Sequence, residues 1–338
     1  MKDECISFQS QFGLSFLRIL ATFSVIIIHV SGPLVMNFGK TPLFDWQVAN
    51  FFDSISRYAV PLFFMISGAL LLRKDYQLID FLKGRFGKIL PPFLIWSLIY
   101  SFTNRYVFSN EEFSFIKVVR DIFYGCKYHL WFIYALLGVY LTVPILRKWI
   151  KDAPEKEILY ALIIWIFTLT LTIPNLKIYF PKIDLTYFSG FIGYFVLGYY
   201  LSLIKFKRII AILSFVIGIS ITIMGTYYFT VKHSNFYYYF YEYLSLNTFL
   251  VSSGVFVLFN KMHSSDKKIF AIVSQLNQAC FGVYLMHPLM LKLFLLIGFD
   301  VSIASPIISI LLVAIVCFLL CFIMIYCIKK FKYGYLIA

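Results

Sequence analysis

The stretch LSFLRILATFSVIIIHVSGP, residues 14–33, decides the fold class of this chain. Its only ionisable side chains are Arg18 and His29, and about 20 apolar residues are enough to cross a bilayer as an α-helix. Nine further apolar runs follow it along the chain. We therefore predict about ten transmembrane helices, at residues 14–33, 56–72, 89–107, 129–146, 158–174, 187–204, 209–231, 243–260, 275–297 and 303–328.

The composition supports the same class. Of the 338 residues, 61% are hydrophobic and 14% are charged, and the mean hydropathy is +0.84. A soluble domain has about 45–50% apolar and about 25% charged residues. Helices satisfy their own backbone hydrogen bonds in lipid, and the alternating pattern of a membrane barrel is absent. We predict an all-α, polytopic membrane helix bundle in which residues 1–338 form a single domain.

The placement of the basic residues predicts the orientation. With the N-terminus inside, the inner connections and both tails hold nineteen Lys and Arg residues and the outer connections hold nine. Positive residues are favoured on the cytoplasmic side, so both termini are expected there. The net charge of +14 then needs no nucleic acid to explain it. The first apolar run lacks a signal-peptide cleavage pattern, so we expect it to be retained.

Arg18 and His29 are expected to lie on one face of the first helix. Eleven residues turn an α-helix through about three full turns and advance it by about 16 Å. An ionisable group at this depth is costly unless it faces the protein interior or a water-filled cavity. The alternative is that Arg18 reaches the headgroups and His29 hydrogen-bonds a neighbouring helix.

Four further segments extend this pattern along the chain. They are SRYAVPLFFMISGALLL (56–72), KGRFGKILPPFLIWSLIY (83–100), YHLWFIYALLGVYLTVP (128–144) and FGVYLMHPLML (281–291). In order and spacing, the five segments resemble the acyltransferase-3 family, and in particular its short members that modify bacterial surface polysaccharides. The resemblance extends from residue 14 to about residue 291.

The resemblance implies a function. Family members move an acyl group, commonly acetyl, from a cytoplasmic coenzyme A thioester to a glycan hydroxyl at the outer face of the cell membrane. The Arg and His of the first helix are regarded as essential, and Arg18 and His29 match them. Many members carry an extracellular esterase-like domain, which we do not expect here, so the membrane domain would complete the transfer itself.

The chemistry of acyl transfer assigns roles to these two residues. A sugar hydroxyl needs a base, and a histidine titrates in the useful range, so His29 is the candidate base. A covalent acyl-histidine is the alternative. Arg18 suits the thioester or the pantetheine region of the donor. The expected donor is acyl-CoA as a substrate, with no tightly bound cofactor and no metal. Asp45, Asp53, Glu242, a hydroxyl or a backbone carbonyl could orient His29.

Other residues are candidates for binding the two substrates. A basic cytoplasmic cluster either holds the nucleotide phosphates of the donor or follows from topology alone; it comprises Arg73, Lys74, Lys83, Arg85 and Lys88. Arg57, expected at the outer face, either holds an anionic or pyrophosphate-bearing acceptor or anchors its helix. Ser67 either lines the donor channel or forms a close helix contact together with Gly68.

Aromatic and histidine residues are the remaining candidates. His129 and Trp131 either contact the sugar or belong to an interfacial aromatic belt. His287 either has a site role or satisfies the backbone break caused by Pro288. A tyrosine-rich outer loop around residues 233–243 is expected to anchor the protein at the interface.

Two rival functions remain open. A secondary transporter or flippase would often place carboxylates within the membrane, and all sixteen Asp and Glu residues are expected outside the spans. A scaffold of a glycan-export complex would leave Arg18 and His29 unexplained. The enzymatic interpretation requires one continuous cavity from the cytosol to His29. The acyl chain, the acceptor glycan and the oligomeric state are left open.

Overall fold

The described part of the chain is helical. The computed structural model describes residues 2–109, 114–124, 129–174, 179 and 184–338, with no β-strand among them. The predicted all-α class is confirmed. The helices are α1 (Lys2–Met36), α2 (Leu43–Ser56), α3 (Ala59–Leu71), α4 (Leu78–Phe102), α5 (Phe115–Tyr124), α6 (Trp131–Asp152), α7 (Glu155–Thr170), α8 (Ile192–Leu203), α9 (Arg208–His233), α10 (Leu246–Phe259), α11 (Lys267–Leu296) and α12 (Pro306–Ile328).

Seven helical stretches of the described residues are long and apolar enough to cross a membrane. They are Gln11–Met36, Leu43–Leu71, Trp131–Asp152, Arg208–His233, Tyr239–Phe259, Lys267–Leu296 and Pro306–Ile328. The other three predicted spans lie on α4, α7 and α8. Helix α7 has 16 residues and α8 has 12, which is short of the usual span, and α4 carries charged residues in its first turns. The chain is a multi-pass membrane protein.

Both ends of the chain lie at the same end of the bundle. Phe12, near the start of α1, stacks on Phe270 in the first turn of α11. Lys329, just after α12, donates a hydrogen bond to the carbonyl oxygen of Gln278 in the first half of α11. Contacts of this kind agree with an even number of crossings. We call this the basic end, because Arg73, Lys205, Lys261 and Lys329 lie there.

The second predicted span begins earlier than expected. Residues 43–56 form α2 instead of a loop, and α2 packs antiparallel to α1: the Trp46 indole donates to the carbonyl oxygen of Val35 at 2.8 Å. A break at residues 57–58 separates α2 from α3. Arg57, which follows α2 directly, is buried. The expectation that every carboxylate lies outside the spans is wrong, because Asp53 is buried within the stretch Leu43–Leu71.

Two glycines bring α3 and α8 into close contact. A Cβ on Gly68 would lie 1.8 Å from the carbonyl oxygen of Phe195, and one on Gly198 would lie 2.0 Å from that of Met65. Small residues allow such close backbone approach between membrane helices. The helix-contact interpretation of Gly68 is confirmed, and the contact fixes α3 against α8.

Candidate active site

His29 lies beside a cavity at the end of the bundle opposite the basic end. The cavity has a volume of about 480 Å³ and includes the exposed residues Met36 and Trp131. His29 itself is half-buried. We call this the outer cavity; it is lined by Ile28, His29, Gly32, Pro33, Val35, Met36, Asp53, Arg57, Trp131, Phe236, Tyr238, Tyr241 and Tyr243.

Three of the predicted site histidines come together here. The rings of His29 and His287 stack with centroids 5.1 Å apart and planes 19° apart. His129 packs edge-on against His287, with a centroid distance of 5.5 Å. The hydroxyl of Tyr284 donates to the carbonyl oxygen of His129 and so ties its turn to α11. Helices α1 and α11 and the turn before α6 therefore build one histidine cluster from distant parts of the sequence.

The backbone of α11 fixes the ring of His287. Its Nδ1 lies 3.3 Å from the carbonyl oxygen of Val283, and a carbonyl can only accept, so Nδ1 carries the proton. Nε2 of His287 is buried and has no hydrogen-bond partner within the described part of the chain. The ring that supports His29 is therefore held in one tautomer by a backbone carbonyl.

Arg57 and Asp53 form a buried ion pair in the wall of the outer cavity. The Arg57 Nε donates to Asp53 Oδ1 at 2.5 Å, and Nη1 donates to the carbonyl oxygen of Tyr241 at 3.3 Å. The guanidinium carbon lies 4.1 Å from the centroid of the Tyr241 ring. Ser31 on α1 donates to Asp53 at 3.4 Å. Of the carboxylates proposed to orient His29, Asp53 is the one that shares its cavity.

The tyrosine-rich segment enters the bundle instead of only anchoring its edge. Tyr241 is fully buried and donates to the amide oxygen of Asn50 at 2.7 Å. Phe236, Tyr238 and Tyr243 line the outer cavity. Burial raises the pKa of the Tyr238 phenol above its usual value, so the group stays a donor at neutral pH. The signal that could have identified this segment is its density of seven aromatic residues in 236–243.

Arg18 lies beside a second cavity that reaches the basic end. We call this the inner cavity. It measures about 430 Å³ and is lined by Gln11, Phe12, Leu14, Ser15, Arg18, Leu70, Phe270, Val273, Ser274 and Asn277. The Arg18 Nη1 donates to Oδ1 of Asn277 on α11 at 2.7 Å. Asn277 could not be selected from the sequence, because a single amide near the start of a helix does not indicate a site until its partner is known.

The two cavities share no lining residue among the described ones. Thr22 and Val25, which lie between Arg18 and His29 on α1, are buried. Close by, the Ser24 hydroxyl donates to the hydroxyl of Tyr58 at 2.9 Å. As lined by the described residues, neither of these two cavities therefore extends from Arg18 to His29. The predicted common face is present, because α11 contacts both Arg18 and His29.

The predicted nucleotide cluster lies near the basic end but not in the inner cavity. None of its five residues lines that cavity. Arg73 donates from Nη2 to the hydroxyl of Ser202 at 2.8 Å and to its carbonyl oxygen at 3.1 Å, at the end of α8. Burial, and then the charges of Lys205 and Arg73, lower the pKa of Lys261 below its usual value. Arg73, Lys205 and Lys261 thus form a second basic group that the sequence did not reveal.

The remaining predicted residues are placed as follows. Trp131 lines the outer cavity, and its ring stacks on Tyr243 with a centroid distance of 5.8 Å. Ser67 lies 3.3 Å from the hydroxyl of Tyr140 on α6 and lines neither cavity. Lys83 and Lys88 are exposed on α4. Trp131 therefore joins the histidine site, whereas Ser67 does not.

Comparison with known proteins adds independent information. The acyltransferase domain of the acyltransferase-3 family matches residues 12–326. The "Putative membrane-bound acyltransferase YfiQ" of Bacillus subtilis strain 168 is 24% identical over 353 residues, covering 95% of this chain and 92% of its own. The "Probable poly-beta-1,6-N-acetyl-D-glucosamine export protein" of Staphylococcus aureus strain Mu50 is 22% identical, covering 82% of this chain and 81% of its own. No solved structure matches.

Proposed function

Because this chain belongs to the acyltransferase-3 family, and is thus a multi-pass bacterial membrane acyltransferase, we propose that it moves an acyl group from acyl-CoA to a glycan hydroxyl. In this proposal the donor enters the inner cavity from the cytoplasm and the acceptor enters the outer cavity. Acetyl is the favoured acyl group, and the acceptor is a cell-surface or lipid-linked glycan.

One structural observation supports the proposal most directly. A single helix, α1, presents Arg18 to the inner cavity and His29 to the outer cavity. The same partner helix, α11, contacts both residues through Asn277 and His287. A cation and a base placed on one helix, each beside its own cavity, suit a reaction whose two substrates arrive from opposite sides.

His29 acts as the general base in the proposed step. Its imidazole takes the proton of the acceptor hydroxyl as the oxygen attacks the thioester carbonyl. The new C–O bond forms, the C–S bond breaks, and the departing thiolate takes the proton from the imidazolium. His29 thus returns to its neutral form in each cycle. The stack on His287, held by Val283, restricts the orientation of the His29 ring.

Arg18 is proposed to bind the donor near its thioester. The guanidinium presents five donors in a plane, and Asn277 takes one of them. The phosphates of the nucleotide would meet the basic residues at the same end, with Lys205 and Lys261 added to the cluster proposed from the sequence. For the thioester to reach His29, the contact between Ser24 and Tyr58 and the packing of Thr22 and Val25 must open.

Export is a second candidate function. It is favoured by the printed name of the Staphylococcus relatives. Two cavities that open at opposite ends without meeting also suit alternating access. The buried Asp53 removes the argument that the spans hold no carboxylate. An exporter would move the glycan without releasing free CoA.

The test uses the purified full-length protein in sealed vesicles. Radiolabelled acetyl-CoA and a bacterial surface polysaccharide are supplied, and both free CoA and label on the polysaccharide are measured. The proposal predicts that the two appear in equal amounts and that His29→Ala stops both. Movement of polysaccharide without CoA release would instead support export and contradict the proposal.

A further inference from the structure

We infer that the outer cavity binds an electrically neutral sugar, and that it rejects uronic acid, phosphate-bearing and amino sugars. The inference rests on the proposed function for the role of this sugar as acceptor. It replaces the hypothesis that Arg57 holds an anionic or pyrophosphate-bearing acceptor. It follows from two features of the cavity: its two opposite charges form an ion pair with each other, and aromatic rings form part of its accessible wall.

The two charged groups of the cavity neutralise each other. Apart from His29, its described lining holds one carboxylate, Asp53, and one permanent cation, Arg57. These two are bonded at 2.5 Å, and their exposed fractions are 0% and 6%. The guanidinium also contacts the carbonyl oxygen and the ring of Tyr241, and its carbon lies 5.8 Å from the centroid of the Tyr243 ring. The pair therefore presents little net charge to a ligand.

An ionic ligand would have to break this pair. A phosphate or carboxylate that bound Arg57 would leave the buried Asp53 without its counter-ion and close to a second negative charge. An ammonium group would have to reach Asp53, which the guanidinium covers. Removing one partner from a buried ion pair is strongly unfavourable. A neutral sugar needs no such change.

Aromatic rings form part of the accessible wall of the cavity. Trp131 is 38% exposed and Tyr238 is 44% exposed, and both line the cavity. Tyr243 stacks on Trp131 with planes 29° apart, which fixes the indole ring. Such rings offer flat apolar faces together with polar edges. These are the complements of the C–H faces and hydroxyl groups of a pyranose ring.

The size of the cavity sets how much of the glycan it holds. Its volume of about 480 Å³ lies in the lower half of the roughly 300–1,000 Å³ range of small-molecule sites. A site of this size takes one or two sugar residues. The reacting end or one branch of a glycan would enter, and the rest would remain outside.

A charge series of one length and one backbone geometry tests the inference without a donor. The ligands are neutral N-acetylchitotriose, its cationic de-N-acetylated form, and an anionic β-1,4-linked triglucuronate. Binding to the full-length protein in detergent is followed by calorimetry and tryptophan fluorescence. We expect the neutral trimer to bind at least about tenfold more tightly than either ion, the discrimination that a charge penalty supplies. Equal or tighter binding of the triglucuronate or of the cationic trimer would overturn the inference.

Two variants sharpen the test. Asp53→Asn releases the charge of Arg57, so the preference for neutral over anionic trimer should fall at least about tenfold. Trp131→Ala alters a partly exposed ring and should weaken the neutral trimer about fivefold, while Trp149→Ala, distant from the outer cavity, should not. If Asp53→Asn does not fold, the Trp131 comparison decides: unchanged binding in Trp131→Ala contradicts the inference.

Failure of this inference differs from failure of the proposed function. Neutral-sugar binding without any acyl transfer would contradict the transferase and leave the inference intact. Acyl transfer confined to anionic glycans would contradict the inference and leave the transferase intact.

Discussion

The outer and inner cavities differ in how their cations are used. In the outer cavity Arg57 is bonded to a buried carboxylate and surrounded by aromatic rings. In the inner cavity Arg18 bonds the neutral Asn277, and no carboxylate is among the described lining residues. Arg18, whose charge is not balanced by any carboxylate that the structure describes, lies where we propose an anionic donor. Arg57, whose charge is balanced by Asp53, lies where we propose a neutral acceptor. The partner of each arginine, more than the arginine itself, distinguishes the two ends.

The largest expected effect is that of His29→Ala. General-base catalysis contributes about 10²–10⁴ in rate, so we expect kcat for acyl transfer to fall by that factor. Folding should be retained, because His29 is half-buried beside a cavity. His233→Ala, at the same end but outside the outer cavity lining, is the matched control. Near-normal turnover by His29→Ala would remove the outer cavity as the site of chemistry.

A change at the contact between α3 and α8 should act on the inner cavity alone. Gly68→Ala forces a Cβ against the backbone of Phe195, and overpacking of this kind costs about 1–3 kcal/mol. We expect a lower Tm and a higher KM for acyl-CoA, with the KM for the glycan unchanged, because α3 contributes Leu70 to the inner cavity and none of the described residues that line the outer cavity. Gly138→Ala on α6 has no atom within 4 Å of the new Cβ and should behave like the wild type. A rise in the KM for the glycan with an unchanged KM for acyl-CoA would contradict this prediction.

Arg18→Lys should change the KM for acyl-CoA and leave the KM for the glycan unchanged. Lysine keeps the charge but loses the planar group. We expect KM for acyl-CoA to rise about tenfold, equivalent to about 1.4 kcal/mol, with KM for the glycan unchanged. Steady-state kinetics with each substrate varied in turn measures both. A rise in the glycan KM instead would assign Arg18 to the acceptor and reverse the comparison.

The smallest effect is expected at a less buried ion pair. Arg105 donates to both oxygens of Asp121, at 2.7 and 2.8 Å, and these hydrogen bonds lower the pKa of the Asp121 carboxyl. A carboxyl group whose pKa is lowered on folding stabilises the folded state at every pH above its unfolded pKa. This stabilisation is lost as the pH falls below about 3.8 and passes through the folded pKa. Because the pair is partly solvated, Asp121→Asn should cost only about 0.2–1 kcal/mol at neutral pH.

Thermal unfolding of the two variants compares the Arg105–Asp121 pair with the buried Arg57–Asp53 pair. The Tm of Asp121→Asn should change less than that of Asp53→Asn, since Asp53 is fully buried. The stabilising contribution of Asp121 should disappear in acid below its unfolded pKa. Equal effects of the two substitutions would show that burial does not distinguish the pairs.

Part of this architecture was predictable from the sequence. Apolar run lengths predicted the all-α membrane bundle, and helical periodicity predicted that Arg18 and His29 share a face. The five segments predicted the family, which the match over residues 12–326 confirms. These features depend on local periodicity or on segment order, both of which a sequence retains.

Features that depend on tertiary contacts were missed. Asp53 and Arg57 are four residues apart, a spacing that allows an ion pair on a helix, but the sequence placed Asp53 in a loop. Neither the partner of Arg18 nor the contact of Tyr241 with Arg57 could be predicted, because each joins segments more than 180 residues apart. The separation of the cavities depends on the packing of several helices at once.

The central claim is that donor and acceptor reach α1 from opposite ends. Supplying each substrate to one side of the membrane only tests this claim most directly. The protein is sealed in vesicles in one known orientation, acyl-CoA is placed on one side and the glycan on the other, and acylated glycan is quantified. The account predicts product only when acyl-CoA faces the basic end and the glycan faces the outer cavity. Product formed with both substrates on the same side would contradict it.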